Sequence, residues 1–388
     1  EEASAHWTRS SGVVGLIASL LFVVGSPICG TVSDALGRKP LLAANVAAWS
    51  VFAVVSCLFY AQVVPISSYF VSYVLGMMIP GPLIFDLWIC DSTRPEDRVL
   101  FLSMLVAVLD GDGLLVPLVG SVLSAFGTIV AFVVVYSLVT IPAMVSLPES
   151  LCHSKKRLST LCDASEGVCT SACGPAALLA DSATLSLVVL SVSLSAYGTY
   201  QGASLQVYLR EVMGISREDY LRISTCGAAA TLLAQLFLSA PLSKVFGFRG
   251  VIAVGLLTNI INSAGFLMMP ASIVPVWISM FVGALGSIVA PVMTTLFFSI
   301  VPEKSRGKTL GEIRALSTIG SAVVQYALSR LFAASSENGL MFNRPMPSLP
   351  HAPIALANLL CLIMLPAVWS HIERAQAAVL VADSKSSE

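Results

Sequence analysis

Charged residues are scarce in this chain, and several sit in short groups between long apolar runs. The stretch GTVSDALGRKPLLA, residues 30–43, holds an acid at Asp34, a basic pair at Arg38 and Lys39, and glycines at Gly30 and Gly37. A second group, ICDSTRPEDR, carries Asp91, Glu96, Asp97 and Arg98, and a third, VPEKSRGKTLG, carries Glu303, Lys304, Arg306 and Lys308. Asp86, Asp110, Asp112, Glu312 and Arg314 lie within or near the ends of apolar runs. Three kinds of chemistry are open to such residues. Basic side chains can fix orientation in a membrane. A carboxylate can hold the positive N-terminal end of a helix, worth about 0.3–1 kcal/mol and more when partly buried. An acid deep in a bilayer can take up and release a proton.

Composition decides which elements must position these groups. Apolar residues make up 56% of the chain and charged residues 11%, with a mean hydropathy of +0.87. Soluble domains carry roughly 25% charged residues, so this chain has too little polar surface to be one. The class is an all-α integral membrane protein. A spanning helix needs about 20 apolar residues. Eleven runs meet that need: 11–33, 40–62, 67–90, 99–123, 127–147, 183–208, 222–243, 249–269, 272–298, 308–333 and 352–371. The polar segment 148–182 reads as a linker, with an N-terminal bundle over 1–147, a C-terminal bundle over 183–371 and a tail over 372–388. The net charge of -1 points to no nucleic-acid partner.

Lysine and arginine set the orientation. The side that holds the 30–40 turn carries fourteen of them, including Arg38, Lys39, Lys244 and Arg249, and the opposite side carries six. The richer side is expected to be cytoplasmic. The charged turn has a degraded copy, APLSKVFGFRGVIA, at residues 240–253. Pro95 in RPEDR likewise has a counterpart, Pro302 in VPEKSRGK. Two features at nearly one offset argue for an internal duplication, as in carriers built from two related halves. The run at 183–208 has no counterpart in the first half, and the chain begins with Glu. A first transmembrane helix is therefore expected to be missing, the alternative being a natural eleven-helix protein.

At this point the residues resemble a known family. The order Gly30, Ser33, Asp34, Gly37, Arg38, Lys39, Pro40 is similar to the signature loop of the major facilitator superfamily. ICDSTRPEDR, LPES and VPEKSRGKTLG fit the same family at later helices. The nearest likeness is to the branch with tetracycline-resistance antiporters, hippocampus-abundant-transcript-like proteins and proton-coupled folate transporters. The resemblance implies two pseudo-symmetric bundles, with about eleven of twelve helices present. It implies that the 30–40 turn lies against the helix beginning near Gly307–Gly311, so that Asp34 clamps the cytoplasmic side. By pseudo-symmetry Lys244, opposite Asp34 in the repeat, should face the loop of Asp91, Glu96 and Asp97. GDGLLVPLVGS is similar to an antiporter helix motif through Gly113, Pro117 and Gly120, although Val116 stands where that motif has glycine. The antiporters' arginine in the preceding helix is absent, which leaves direction of transport open.

Asp110 lies twelve residues past Arg98, about 18 Å into a core roughly 30 Å thick. It and Asp112 are candidate proton sites, with a structural ion pair as the alternative. Asp86 is expected to join the Asp91–Arg98 network, and Arg314 to serve as a gate partner or an anion contact. Tyr200, Gln201 and Gln206 are candidate substrate contacts on a helix that lines the cavity in this family, with bonding between helices as the alternative. Cys152, His153, Cys162, Cys169 and Cys173 lack a close pair, so no metal is expected. No phosphate-binding loop and no nucleophile–base set is present, so neither a cofactor nor an enzyme is expected. The functional expectation is a monomeric secondary carrier of a small molecule, working by alternating access in a bilayer, with protons as the candidate coupling ion. The alternatives are a non-transporting receptor or scaffold and an inactive truncated carrier. Nothing in the sequence separates the plasma membrane from an organelle membrane.

Overall fold

The computed structural model describes residues 2–109, 125–135, 182–207, 215–267, 274–301, 306–337 and 351–386, together with isolated positions among 111–150. Thirteen helices form there: α1 Glu2–Leu36, α2 Arg38–Tyr60, α3 Ile66–Met78, α4 Gly81–Ser92, α5 Arg98–Leu109, α6 Ala125–Val135, α7 Ser182–Val207, α8 Arg217–Phe237, α9 Ser239–Leu267, α10 Val274–Gly286, α11 Val289–Ile300, α12 Arg306–Glu337 and α13 His351–Ser386. Each of the eleven apolar runs thus carries helix. Among the described residues, six spans are long and apolar enough to cross a membrane: Ile17–Leu36, Arg38–Tyr60, Ile66–Ser92, Ser239–Gly265, Trp277–Ile300 and His351–Ala377. Their outward faces are apolar, with Val51 and Val54 on α2 and Ile363 and Met364 on α13 all exposed. Such faces suit hydrocarbon rather than water.

Two expected single helices are broken. The 67–90 run divides into α3 and α4 because Ile79 adopts extended angles before Pro80, as a residue preceding proline tends to. Asn45 of α2 donates from Nδ2 to the Ile79 carbonyl at 2.6 Å, so the break is satisfied from a neighbouring helix. The 272–298 run divides into α10 and α11 after Gly286, ahead of Pro291. The charged turn is also shorter than expected. α1 runs on to Leu36, and Gly37 alone, at φ 102, separates it from α2. Asp34 therefore sits in the last turn of a helix and not in a loop. At the far end, α13 continues helical well beyond 371.

The chain forms two compact units. The first comprises residues 1–93, 122–181 and 301–319. In it α2 packs on α3, α4 and α6, and α1 packs on α3. Trp49, Phe52, Tyr69 and Tyr73 form an aromatic cluster between α2 and α3, and the Trp49 ring lies beside Gly76 of α3. The second unit comprises 94–121, 182–300 and 320–388. There α9 packs on α10, α11 and α13, α7 on α13, and α5 on α8 and α11. Uncharged polar groups bind these helices. Asn259 donates to the Leu194 carbonyl at 3.2 Å, and Asn358 donates to the Ile354 carbonyl at 2.9 Å and the Ser193 carbonyl at 3.4 Å.

Candidate functional site

The ions of the first unit gather where α1 ends, α2 begins, α4 ends and α12 begins. The geometry starts with small residues. Ser26 and Gly30 stand four apart on α1, and Gly307 and Gly311 four apart on α12. Pairs at this spacing let two helices approach closely. A methyl added at Gly30 would fall on the Gly307 carbonyl, and one added at Gly311 would fall on the Ser26 carbonyl. The two backbones are in contact.

That approach carries Asp34 to the first turn of α12. Its Oδ1 accepts from the Gly307 amide at 3.2 Å and its Oδ2 from the Lys308 amide at 3.0 Å. These amides have no partner within their own helix, and the positive end of the helix dipole favours the carboxylate. Asp34 also pairs with Arg38 at 2.8 Å. Arg38 is 1% exposed, and its burial is matched by partners. It donates from Nε to Asp91 Oδ2 at 3.0 Å and from Nη1 to the Ser33 hydroxyl. Ser33 in turn donates to the Gly30 carbonyl at 2.8 Å. Arg306 of α12 reaches the other oxygen of Asp91 at 3.3 Å. One carboxylate thus sits between two guanidiniums, one from each half of the sequence. A turn and a half deeper on α4, Asp86 accepts from Arg314 Nη2 at 2.6 Å.

Gly30, Asp34, Gly37, Arg38, Asp91 and Arg306 are therefore brought together, as is Arg314. Lys39 follows in the first turn of α2. One expectation needs correcting: Asp86, expected to join Asp91 and Arg98, pairs with Arg314. Ser33, part of the signature order, bonds Arg38, while Ser26 was signalled in the sequence only by the small-residue spacing on α1 and α12. Arg98 opens α5 in the second unit.

The degraded copy in the second unit keeps the backbone and not the ions. Gly247 interrupts α9 at φ 66, as Gly37 does after α1. Ser243 donates to the Ala240 carbonyl at 2.8 Å, as Ser33 does to Gly30. Lys244 and Arg249 are exposed. Lys244, expected to face the loop of Asp91, Glu96 and Asp97, forms no ion pair among the described residues. The reason is exposure: a surface lysine gains little from a fixed partner. Asp110, Asp112, Gly113, Pro117, Gly120 and Glu303 lie outside the described residues. Tyr200, Gln201 and Gln206 fall on α7, and their side chains lie outside the described residues too.

Residues 3–325 match the profile of the Major Facilitator Superfamily. The chain belongs to the major facilitator superfamily. It is a multi-pass membrane protein of the superfamily's all-α fold, a carrier of small solutes and not an enzyme. Solved major facilitator structures are similar in fold. The human organic anion transporter MFSD10 (TETRAN) matches with a TM-score of 0.70 at 16% identity, over 90% of this chain and 83% of that one. The proton:xylose symporter XylE bound to 6-bromo-6-deoxy-D-glucose matches with 0.70 at 14% identity, over 96% and 87%. A bacterial homologue of the iron transporter ferroportin, in an outward-facing state, matches with 0.59 at 16% identity, over 93% and 91%. No curated protein sequence matches this chain.

Proposed function

We propose that this major facilitator protein is a secondary active carrier working by alternating access, and that the α1–α2–α4–α12 clasp is its cytoplasmic gate. The observation that carries this reading is the Asp34 carboxylate on the amides of Gly307 and Lys308. It joins the first half of the duplicated sequence to the second through an end-on contact that can be made and released as a unit. The flanking basic residues support a cytoplasmic position through the positive-inside rule. With the clasp made, the carrier is closed on that side. The two sequence halves, 1–147 and 183–371, are the bodies that rock. The carrier acts as a monomer, and protons drive it. Its motif order favours the branch with tetracycline-resistance antiporters and proton-coupled folate transporters.

Two native cysteines stand on the helices of the clasp. Cys29, 9% exposed, adjoins Gly30 with its thiol on the Met78 carbonyl of α3 at 3.9 Å, and Cys90, 1% exposed, stands one turn from Asp86 on α4. The test is alkylation of Cys29 and Cys90 by a membrane-impermeant maleimide in oriented vesicles, followed by mass spectrometry. The reading requires slow labelling in the native protein and faster labelling from the cytoplasmic side in Asp34→Asn. Equal labelling of the two proteins would remove the gate from Asp34.

A further inference from the structure

Glu312 is the acid that the clasp does not use. It is 4% exposed, and its Oε1 has no hydrogen-bond partner. It follows Gly311, whose Cα lies against the α1 backbone at Ser26 and Pro27. The ionisable groups that α1, α2 and α4 bring to this end of α12 are Cys29, Asp34, Arg38, Lys39, Asp86, Cys90 and Asp91. The acids among them are committed: Asp34 to Arg38 and the α12 amides, Asp91 to Arg38 and Arg306, and Asp86 to Arg314. On α12 itself, Arg306 and Arg314 face those acids. Lys308, four residues before Glu312, forms no ion pair with it among the described residues. The Lys308 ammonium acts on the Glu312 charge from one turn away but makes no bond to it, and a carboxylate with a buried, unbonded oxygen and no paired cation is more costly than a neutral carboxyl in the same place.

We propose that Glu312 is the proton-binding site of the carrier, occupied while α12 lies on α1 and emptied when they part. The step is a proton transfer: hydronium gives its proton to a Glu312 oxygen, forming an O–H bond and leaving water, and the reverse occurs on opening. Nothing is oxidised or reduced. Closure buries Glu312 only as the neutral acid, so proton binding and gate closure favour one another. This rests on reading the α1–α12 contact as the gate.

The test uses the purified full chain in lipid nanodiscs. Infrared difference spectra between the native protein and Glu312→Gln, at neutral pH, should contain the C=O stretching band of a protonated carboxyl. Carboxylate bands alone in that difference would overturn the proposal. The second measurement is Cys29 alkylation against pH, normalised to the denatured protein to remove the chemistry of the thiol. Raising the pH removes the proton and should raise Cys29 exposure, by up to about tenfold per pH unit for one linked proton. Glu312→Gln and Glu312→Leu, which need no proton, should flatten that dependence with Cys29 kept covered. A dependence that survives in both variants would overturn the link to the gate. If Asp34→Asn leaves Cys29 covered while the carboxyl band remains, the gate reading fails and the proton at Glu312 stands.

Discussion

Gly30 and Gly307 meet backbone to backbone, so that a methyl group on Gly30 would occupy the space of the Gly307 carbonyl. Gly30→Ala is therefore expected to push α12 off α1. Overpacking of this kind costs about 1–3 kcal/mol, which shifts the closed population by roughly 5- to 140-fold. The readout is faster Cys29 alkylation with the protein still folded by gel filtration. Unchanged alkylation would mean that the close approach has no bearing on closure.

Asp34→Asn keeps an acceptor for one amide of α12 and loses the charge. The expected loss of closure is about 1 kcal/mol, roughly fivefold in population. Asp34→Ala, which also loses the acceptor, should open the clasp further. The same alkylation assay ranks the two, and an equal effect would show that the charge alone matters.

Arg38 makes separate contacts to Ser33, Asp34 and Asp91. A lysine ammonium lacks the planar fork and cannot reach all three. Arg38→Lys should lose about 1.5–3 kcal/mol, the worth of a hydrogen bond to a charged group. Arg38→Ala should lose more, about 3–5 kcal/mol, by removing the buried cation that Asp34 and Asp91 share. Thermal unfolding in detergent, followed by thiol-reactive dye, measures both, and a lysine variant as stable as the native chain would contradict the geometry.

Asp86 and Arg314 form a lopsided pair, since the Asp86 side chain is 8% exposed and the Arg314 side chain 41% exposed. Removing Arg314 strands a buried carboxylate, at about 3–5 kcal/mol. Removing Asp86 leaves a partly solvated guanidinium, at about 1 kcal/mol or less. Unfolding temperatures of Arg314→Ala and Asp86→Ala should differ in that order. Asp86→Asn should rescue much of the loss in Arg314→Ala.

Gly247 has open space around it, with nothing within 4 Å of where a Cβ would stand, yet its φ and ψ are 66 and 173. Side chains are excluded there by the backbone alone. Gly247→Ala should cost about 1–3 kcal/mol, read as a lowered unfolding temperature with no change in Cys29 alkylation. An unchanged melting point would indicate that α9 can straighten through this position.

Much of this was legible in the sequence because it depends on local chemistry. The apolar runs located the helices, and Gly37 and Gly247 marked the breaks between paired segments. The two halves of the clasp were visible as charged groups, and the resemblance supplied their meeting at Gly307. Other relationships were hidden by distance. Asp86 and Arg314 are 228 residues apart, and nothing local to either names its partner. Ser33 was visible as a motif position, but its bond from Arg38 was not. Lys244 shows the opposite error: an inverted charge in a repeat suggested a second clasp, while the structure keeps only the repeat's backbone form.

The Asp34 contact has one more consequence. Asp34 holds main-chain N–H groups of α12, so the side chain at 308 is irrelevant to that bond. Replacing Lys308 by alanine, glutamine or glutamate leaves the donor in place, and a conventional alanine scan would pass over the partner entirely. The residue that deletes it is proline, which has no N–H and is tolerated in the first turn of a helix. Position 308 can therefore vary freely at this lock, provided that proline stays out of it.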